Sequence, residues 1–548
     1  MIFSTNASDK GIQIKNMILD SVETWTVTEV ISNGSDGGSY EPSVTLDSFG
    51  NAYVFWLDYS DDYLGSGSDP DIFLKFWNET TKTWKTSLVT TESWDGIYGL
   101  HCDVDSKDNI HLAWSENSNI WYKYWNVTSQ TWNETSEITT ESNGGIHPFL
   151  VVDSADNIHI AWSDSNNYDG SGYDRDIFYK FWNATTQTWN TTTVISIGST
   201  DSSGGYGHSM AIDSSGNVHI AWTDSTDNYY GGESVLDIFH RFWNITDQSW
   251  SSISLLSIGS TDLSHEPSLV ADSLGNIHLA WFEYTQDYYS SGKDYGIYYK
   301  IWNATTISWN SPIILDNEFD SSAYPRLAID SADNIHVAFY SIDDYDGAGD
   351  SDSDIFYKKW DSTLKLWTST TLISTESPES HHLYHSIATN DIGDVSIAWA
   401  DKSNFDNCGT DTDVFYKKLG FLPSPVLNEI TPYPSTTGDI NLAWNAVPEA
   451  NSYHIYRSNT FITSVNVLTP IATTIAYSYV DLNLPNGYYY YVVIASSDII
   501  NSSLSNVVSI GVILPEVNEF PLVTSIFLFG IISICTLTII LRRRKKRD

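Results

Sequence analysis

Two sets of residues in this chain have the types and spacing that chemistry needs. The first is Glu41, Gly99, His147, Gly207, Glu266, Tyr324 and Tyr384. Each stands six residues before a recurring position held by Asp47, Asp105, Asp153, Asp213, Asp272, Asp330 and Asn390. These residues differ from copy to copy, as a site does and a packing position does not. Convergent polar groups at a concave mouth are what a ligand site uses, so Glu41, His147, Glu266, Tyr324 and Tyr384 are the candidate ligand contacts. Glu41 and Glu266 are also the pair of carboxylates that glycoside hydrolysis requires. The second set lies in "DYDGAGDSDSD", residues 344–354. Asp344, Asp346, Asp350, Asp352 and Asp354 offer hard oxygen ligands near a glycine turn, which suits Ca²⁺. The loop departs from the EF-hand pattern. Its alternative reading is a solvated acidic loop whose last Asp (Asp354, like Asp71, Asp176, Asp237 and Asp413) caps the strand that follows.

Other candidates read as scaffold. His111, His159, His219, His278 and His336 each follow a turn Asn by two residues, but they fall in separate copies, and Tyr53 takes the same place in the first. Cys102, Cys408 and Cys535 show no CxxC or Cys/His spacing, which speaks against a disulfide framework or zinc. No G-x-S-x-G, H-E-x-x-H or phosphate loop is present. Formal net charge is −43, and "RRRKKRD" at the end contributes +5, so the rest carries −48. Such a surface repels phosphate backbones and excludes nucleic acid as a partner.

The elements that must hold these residues come from a repeat. The recurring positions are spaced 58, 48, 60, 59, 58 and 60 residues apart, and nine residues after each stands Trp56, Trp114, Trp162, Trp222, Trp281, Phe339 or Trp399. A period this regular specifies a repeat architecture. Each copy holds four strand patterns, for example "PFLVVD", "IHIAWSD", "IFYKFWN" and "QTWNTTTVIS". "SADN" and "ATT" join them as hairpins. Four antiparallel strands per copy describe a propeller blade. The seventh copy stops after "DVFYKKLG", and "ETWTVTEVIS", residues 23–32, supplies its missing fourth strand. The expectation is an all-β chain, a seven-bladed β-propeller over 23–420 closed by an N-terminal strand, which leaves no open edge.

The "D-S-x-G/D-N-[IV]-H-[ILV]-A-W" copies resemble the seven-bladed propellers of microbial, archaeal-type surface proteins, loosely of the sialidase kind. This resemblance implies architecture rather than activity. The arginine triad of sialidases is not in evidence: Arg175, Arg241 and Arg326 fall in a loop, a third strand and a first strand, and the Asp-box is absent. Residues 421–514 resemble a fibronectin type III domain through "INLAWNAVPEANSYHIYRS" and "NGYYYYVVIAS", and strand alternation there independently argues for a β-sandwich. After the linker 515–519, "FPLVTSIFLFGIISICTLTIIL", residues 520–541, is uncharged and long enough to span a bilayer as one helix. The basic tail 542–548 places that end in the cytoplasm and the ectodomain outside. Residues 1–22 show neither the basic nor the apolar region of a signal peptide.

Strand order from the channel outward assigns two faces. The long second-to-third loops, acidic and rich in Tyr and Gly, share a face with the candidate ring, and that face points away from the membrane. The sequons Asn78, Asn126, Asn183, Asn244 and Asn303 begin turns on the opposite face. Asn133 and Asn190 lie just beyond those turns, and Asn501 is in the second domain. They are glycosylation candidates, although Asp361 replaces Asn in the sixth copy, which points to turn chemistry. The expected function is a single-pass cell-surface protein binding a carbohydrate or protein partner through the acidic, aromatic-rich face. The alternatives are an extracellular glycan-processing hydrolase and a structural surface-layer component.

Overall fold

The computed structural model describes residues 24–515 apart from 62, 67–68, 91–95, 143, 201–202, 226–235, 258–262, 285–294, 317–318, 320, 343–352, 376–383, 407, 410, 421–423, 448–449, 464, 466–467, 497–501 and 503. The chain divides into two compact units, one of them Trp25–Gly420 and the other containing the residues after it. Among the described residues Trp25–Gly420 is built from antiparallel sheets of four or five strands, a β-propeller-like arrangement. The third sheet shows the pattern: Ile146–Val152, Ile158–Asp164 and Asp176–Asn183 pair in order, followed by Thr188–Trp189 and Thr193–Val194. Seven such sheets follow one another, and their first strands contact one another in a closed cycle that joins Ser39–Leu46 to His385–Thr389. In the last sheet the outer positions belong to the N-terminal end of the unit, where Glu29 and Val30 pair with Tyr416 and Phe415.

One expectation is corrected here. The sequence pattern predicts a single run for the fourth strand, but among the described residues it is two short pieces in six sheets and runs unbroken only in Thr83–Leu88. The break has a local cause. Asn190 Oδ1 accepts the Phe181 N–H at 2.7 Å, and Asn133 Oδ1 accepts the Tyr124 N–H at 2.6 Å. A side chain thus takes the place of the ladder carbonyl, and the backbone bows away between the pieces.

Packing follows from the repeated aromatics. Trp56, Trp114, Trp162, Trp222, Trp281 and Trp399 are at most 1% exposed. Each removes on the order of 200 Å² from water, about 5 kcal/mol of transfer free energy at 25 cal/mol/Å². Most fourth-strand Trp residues then meet a third-strand ring of the preceding sheet edge-on, such as Trp189 on Tyr122, Trp250 on Tyr179 and Trp367 on Tyr299, while Trp132 meets the second-strand Phe55. Trp25 meets Tyr357 of the sixth sheet at 5.0 Å, and Trp84 meets Tyr416 of the seventh at 5.2 Å. The seam therefore uses the same kind of contact as most of the other sheet boundaries.

A second tie between sheets is ionic. Third-strand cations reach into the preceding sheet and donate to its backbone carbonyls: Lys180 to Ile138 O at 3.1 Å, Arg241 to Ile195 O at 3.0 Å, Lys300 to Leu256 O at 2.7 Å and Lys417 to Ile373 O at 2.7 Å. Burial pulls the Lys75 and Lys300 ammonium groups down to about 8. A buried ammonium is tolerated because fixed carbonyl dipoles replace its water shell.

The unit after residue 420 holds two antiparallel sheets. Ile440–Ala443 pairs with Ser478–Asp481, and Ala472–Thr474, Ser452–Ser458, Gly487–Ser496 and Val508–Val512 form the other. Trp444, Tyr453, Tyr491 and Ile510 lie in its core. The Tyr491 hydroxyl donates to Asp481 Oδ2 at 2.8 Å, which satisfies the polar end of a buried ring. Among the described residues no helix is long and apolar enough to cross a membrane. The expected span 520–541, like residues 1–22, lies outside the described residues.

Candidate functional site

In six sheets the first strand begins normally and then breaks register, while His385–Thr389 of the last pairs without a shift. The pairing slips between Tyr40 and Ser43, Tyr98 and His101, Ile146 and Phe149, Ser203 and His208, His265 and Ser268, and Ala323 and Arg326. The residue inside each slip is a candidate ring position. Its φ is positive every time: Glu41 49°, Gly99 65°, His147 51°, Gly207 125°, Glu266 51° and Tyr324 51°. A β-bulge adds one residue and re-aims the side chain it carries. For a non-glycine residue this left-handed backbone costs on the order of 1 kcal/mol or more. Pro42, Pro148, Pro267 and Pro325 follow four of these residues. Proline has no N–H to lose where the ladder is interrupted.

The six bulges and Tyr384, which directly precedes His385–Thr389, surround one cavity of ≈ 280 Å³. All seven ring positions line it. The structure therefore brings Glu41, His147, Glu266, Tyr324 and Tyr384 together, although they are up to 343 residues apart in sequence (384 − 41). The two glycines have a packing reason. A Cβ on Gly99 would meet His147 Cα at 2.7 Å, and one on Gly207 would meet Glu266 Cδ at 2.8 Å. Each yields space to the ring residue of the following sheet.

The lining residues that were not site candidates in the sequence include the basic His101, His208, Arg326 and His385. They stand one or two places after the ring position, and for His101, His208 and Arg326 that place falls at the end of a bulge. The recurring X-Pro was the available signal. Arg326 Nη2 donates to Glu266 Oε2 at 3.1 Å. The sequence offers no arginine triad, yet a single arginine suffices for one ion pair.

The histidines have assigned tautomers. His101 Nδ1 accepts the Leu150 N–H at 3.4 Å, which leaves Nε2–H as its donor. His208 faces the opposite way: Nε2–H donates to Ala161 O at 3.3 Å, and Nδ1, with no described partner, is an acceptor. Burial, with Arg326 and His208 adding to it, pulls His101 down to about 3. Burial likewise pulls His208 down to about 4, so both stay neutral at neutral pH. Burial also lowers His147, helped by Arg175. Burial raises both carboxyls. Glu41 is partly compensated by the backbone N–H groups of Gly99 and Leu100, and Glu266 by Arg326. Aromatic rings back the wall. Tyr98 lies 5.5 Å from the His147 ring, and Tyr324 packs between Phe282 at 5.2 Å and Tyr340 at 5.3 Å.

The other candidates fall outside this cavity. His159 Nδ1 shares a hydrogen bond with the Tyr179 hydroxyl at 2.6 Å, and its Nε2 lies 3.3 Å from Asp153 Oδ2. His111, His278 and His336 repeat the arrangement with Asp105, Asp272 and Asp330. They are struts between strands. Asp344, Asp346, Asp350 and Asp352 lie outside the described residues. Asp354 opens its strand and accepts the Ser374 hydroxyl at 2.6 Å. Asp71, Asp176, Asp237 and Asp413 do the same with Thr90, Ser196, Ser257 and Ser32. Among the described residues no cluster of three or more His, Cys, Asp or Glu is set to hold a metal.

The sequon turns show why Asp361 replaces Asn. Asn183 Oδ1 accepts the Thr185 and Thr186 N–H groups, and Asp361 Oδ1 accepts those of Thr363 and Leu364. Asn78, Asn126, Asn244 and Asn303 make the same turn bonds. Asn501 lies outside the described residues.

No protein-family model matches the chain, and no curated protein matches it in sequence. Solved structures do. An ulvan lyase, a polysaccharide lyase, is similar at 11% identity over 70% of this chain and 95% of that one, with a TM-score of 0.47. A sialidase from Streptococcus pneumoniae is similar at 11% identity over 72% and 70%, with a TM-score of 0.38. A Fn3-like protein from Clostridium thermocellum is 30% identical over 18% of this chain and 100% of its own, with a TM-score of 0.15. At such values no activity carries over to this chain.

Proposed function

We propose that this chain is a membrane-anchored cell-surface protein that binds carbohydrate in the cavity at the centre of its repeat unit. Residues 25–420 form a seven-bladed β-propeller in this reading. The cyclic order of sheets and the seam contacts of Trp25 and Trp84 support that count. The second unit is a fibronectin type III-like spacer, supported by its two sheets and the Trp444, Tyr453 and Tyr491 core. Residues 520–541 form the span, because an uncharged run that ends in six cations fits a bilayer and its inner surface. Asn78, Asn126, Asn133, Asn183, Asn190, Asn244, Asn303 and Asn501 are available to a glycosylating host.

One observation carries the ligand class. Around a single cavity stand a fixed donor (His101), a fixed acceptor (His208), a carboxylate–guanidinium pair (Glu266 and Arg326), a second carboxylate (Glu41) and the phenols Tyr324 and Tyr384. Alternating donors and acceptors match vicinal hydroxyls, and aromatic faces match the apolar faces of a sugar ring. The test is calorimetric titration of the full chain in detergent with a panel of neutral and charged oligosaccharides. At least one class should bind, and Tyr384→Ala or Glu266→Gln should weaken it by about tenfold or more. A panel with no binder, or binding indifferent to both substitutions, refutes the reading.

Hydrolysis is the second reading. It is favoured by the two cavity carboxyls, both raised by burial, as a general acid requires. Release of reducing ends from a bound oligosaccharide, abolished by Glu266→Gln or Glu41→Gln, would establish it. A bound but unprocessed panel retires it.

A further inference from the structure

Among the described residues that line it, the cavity wall carries one charge that no lining cation balances. Its Asp, Glu, Lys and Arg residues are Glu41, Glu266 and Arg326, two negative and one positive, which leaves −1. Glu266 and Arg326 satisfy each other. Glu41 is held only by backbone N–H groups of Gly99 and Leu100, and no Lys, Arg or His lies against it among the described residues. Phenols share the cavity with it: Tyr324 and Tyr384 both line the wall. A buried carboxylate in a cavity that phenols also line is a seat for an ammonium group, which pairs with the one and is attracted by the other.

Two further observations point the same way. His208 is 8% exposed and lines the cavity, and its Nδ1 has no donor among the described residues. The chain as a whole carries −43, which draws cations toward the mouth and turns anions away. An acidic sugar fits less well. Arg326 is already engaged, and a ligand carboxylate would add a negative charge beside Glu41 and Glu266. Arg175 acts on His147 and Tyr98 but is not part of the wall.

We propose that the cavity selects a sugar bearing a free primary amine, with its ammonium between Glu41 and Tyr384 and its hydroxyls on His101, His208 and the Glu266–Arg326 pair. The inference rests on the carbohydrate reading and names the substrate class of the same site. Its test compares short oligomers of glucosamine, N-acetylglucosamine, glucose and galacturonic acid, with oligolysine, by calorimetric titration of the full chain at low ionic strength. The glucosamine oligomer should bind at least about tenfold more tightly than its acetylated and neutral counterparts. Added salt should narrow that gap. Glu41→Gln should bring it within about twofold; Gln retains an oxygen for the Gly99 N–H, and an unchanged melting temperature verifies the fold. Equal affinity for glucosamine and glucose oligomers overturns the inference and leaves the carbohydrate reading standing, as does a preference for galacturonate. Binding of oligolysine without any sugar, or of nothing in the panel, overturns both.

Discussion

Asp153→Asn is the perturbation whose cost can be worked from the structure. Asp153 Oδ1 accepts the backbone N–H of Ala155 at 2.9 Å and of Asn157 at 2.8 Å; Oδ2 accepts Asn157 Nδ2 at 2.8 Å and lies 3.3 Å from His159 Nε2. Burial alone would raise this carboxyl. The bonds from His159 and Asn157 outweigh it and hold the group at about 2 against an ordinary 3.8. The side chain is 13% exposed, so the difference is not lost to solvent screening. It corresponds to about 2.5 kcal/mol of folding free energy. The folded value lies below the unfolded one. The contribution is therefore present above about pH 4 and lost as pH falls, to about 1.3 kcal/mol at pH 3. Asn keeps the Oδ1 acceptor but turns an N–H₂ toward two donors, so the variant forfeits this term. Trp25–Gly420 unfolds with roughly 2.1 cal/mol/K per residue, so the melting temperature should fall by about 3 °C at pH 7. Differential scanning calorimetry of both proteins at pH 7 and pH 3 checks this, and the gap should be narrower at pH 3. An equal gap at both pH values would show that the turn is held by backbone geometry alone and refute the electrostatic account.

Two further outcomes follow from single residues. Gly207→Ala puts a methyl group at φ 125° and within 2.8 Å of Glu266 Cδ; it should cost about 2 kcal/mol or more and displace Glu266, seen as a lower melting temperature together with weaker oligosaccharide binding, and normal binding would mean the ring does not shape the cavity. Asp176 is pushed up to about 7, by burial first and by Asp174 and Asp224 after it. Its folded value exceeds the unfolded one, so its contribution is lost as pH rises from about 4 through 7. Asp176→Asn should therefore raise the melting temperature at pH 8 and change it much less at pH 4, and the reverse order would contradict the assigned protonation.

The repeat was legible because its determinants are local. Alternating apolar residues, the D-S-x-G/D-N turn and the Trp nine residues on are dictated by pleat and turn chemistry within one copy. Even the choice of Gly or Asp in that turn has a local reason: Gly50, Asp108, Asp156 and Gly275 all adopt positive φ. The candidate ring at Glu41, His147, Glu266, Tyr324 and Tyr384 could be named from sequence for a related reason, since variation against a constant background is visible in a repeat.

Other features depend on more than one copy. That the ring positions enclose one cavity requires the cyclic contact of all first strands, which no local pattern encodes. The broken fourth strands hinge on whether Asn190 or Asn133 spends its side chain on a backbone N–H. His101 and Arg326 enter the cavity because a bulge shifts the inward side by one residue, and a bulge reverses facing without altering composition. The pairing of Arg326 with Glu266, 60 residues apart, and the holding of Glu41 by backbone N–H groups of the next sheet are likewise products of the closed ring. Sequence alone determined strands, turns and the repeated aromatic core, because those forces act within a few residues. The tertiary structure decided which charges meet and which stay unbalanced, because that depends on neighbours brought together only when the cycle closes.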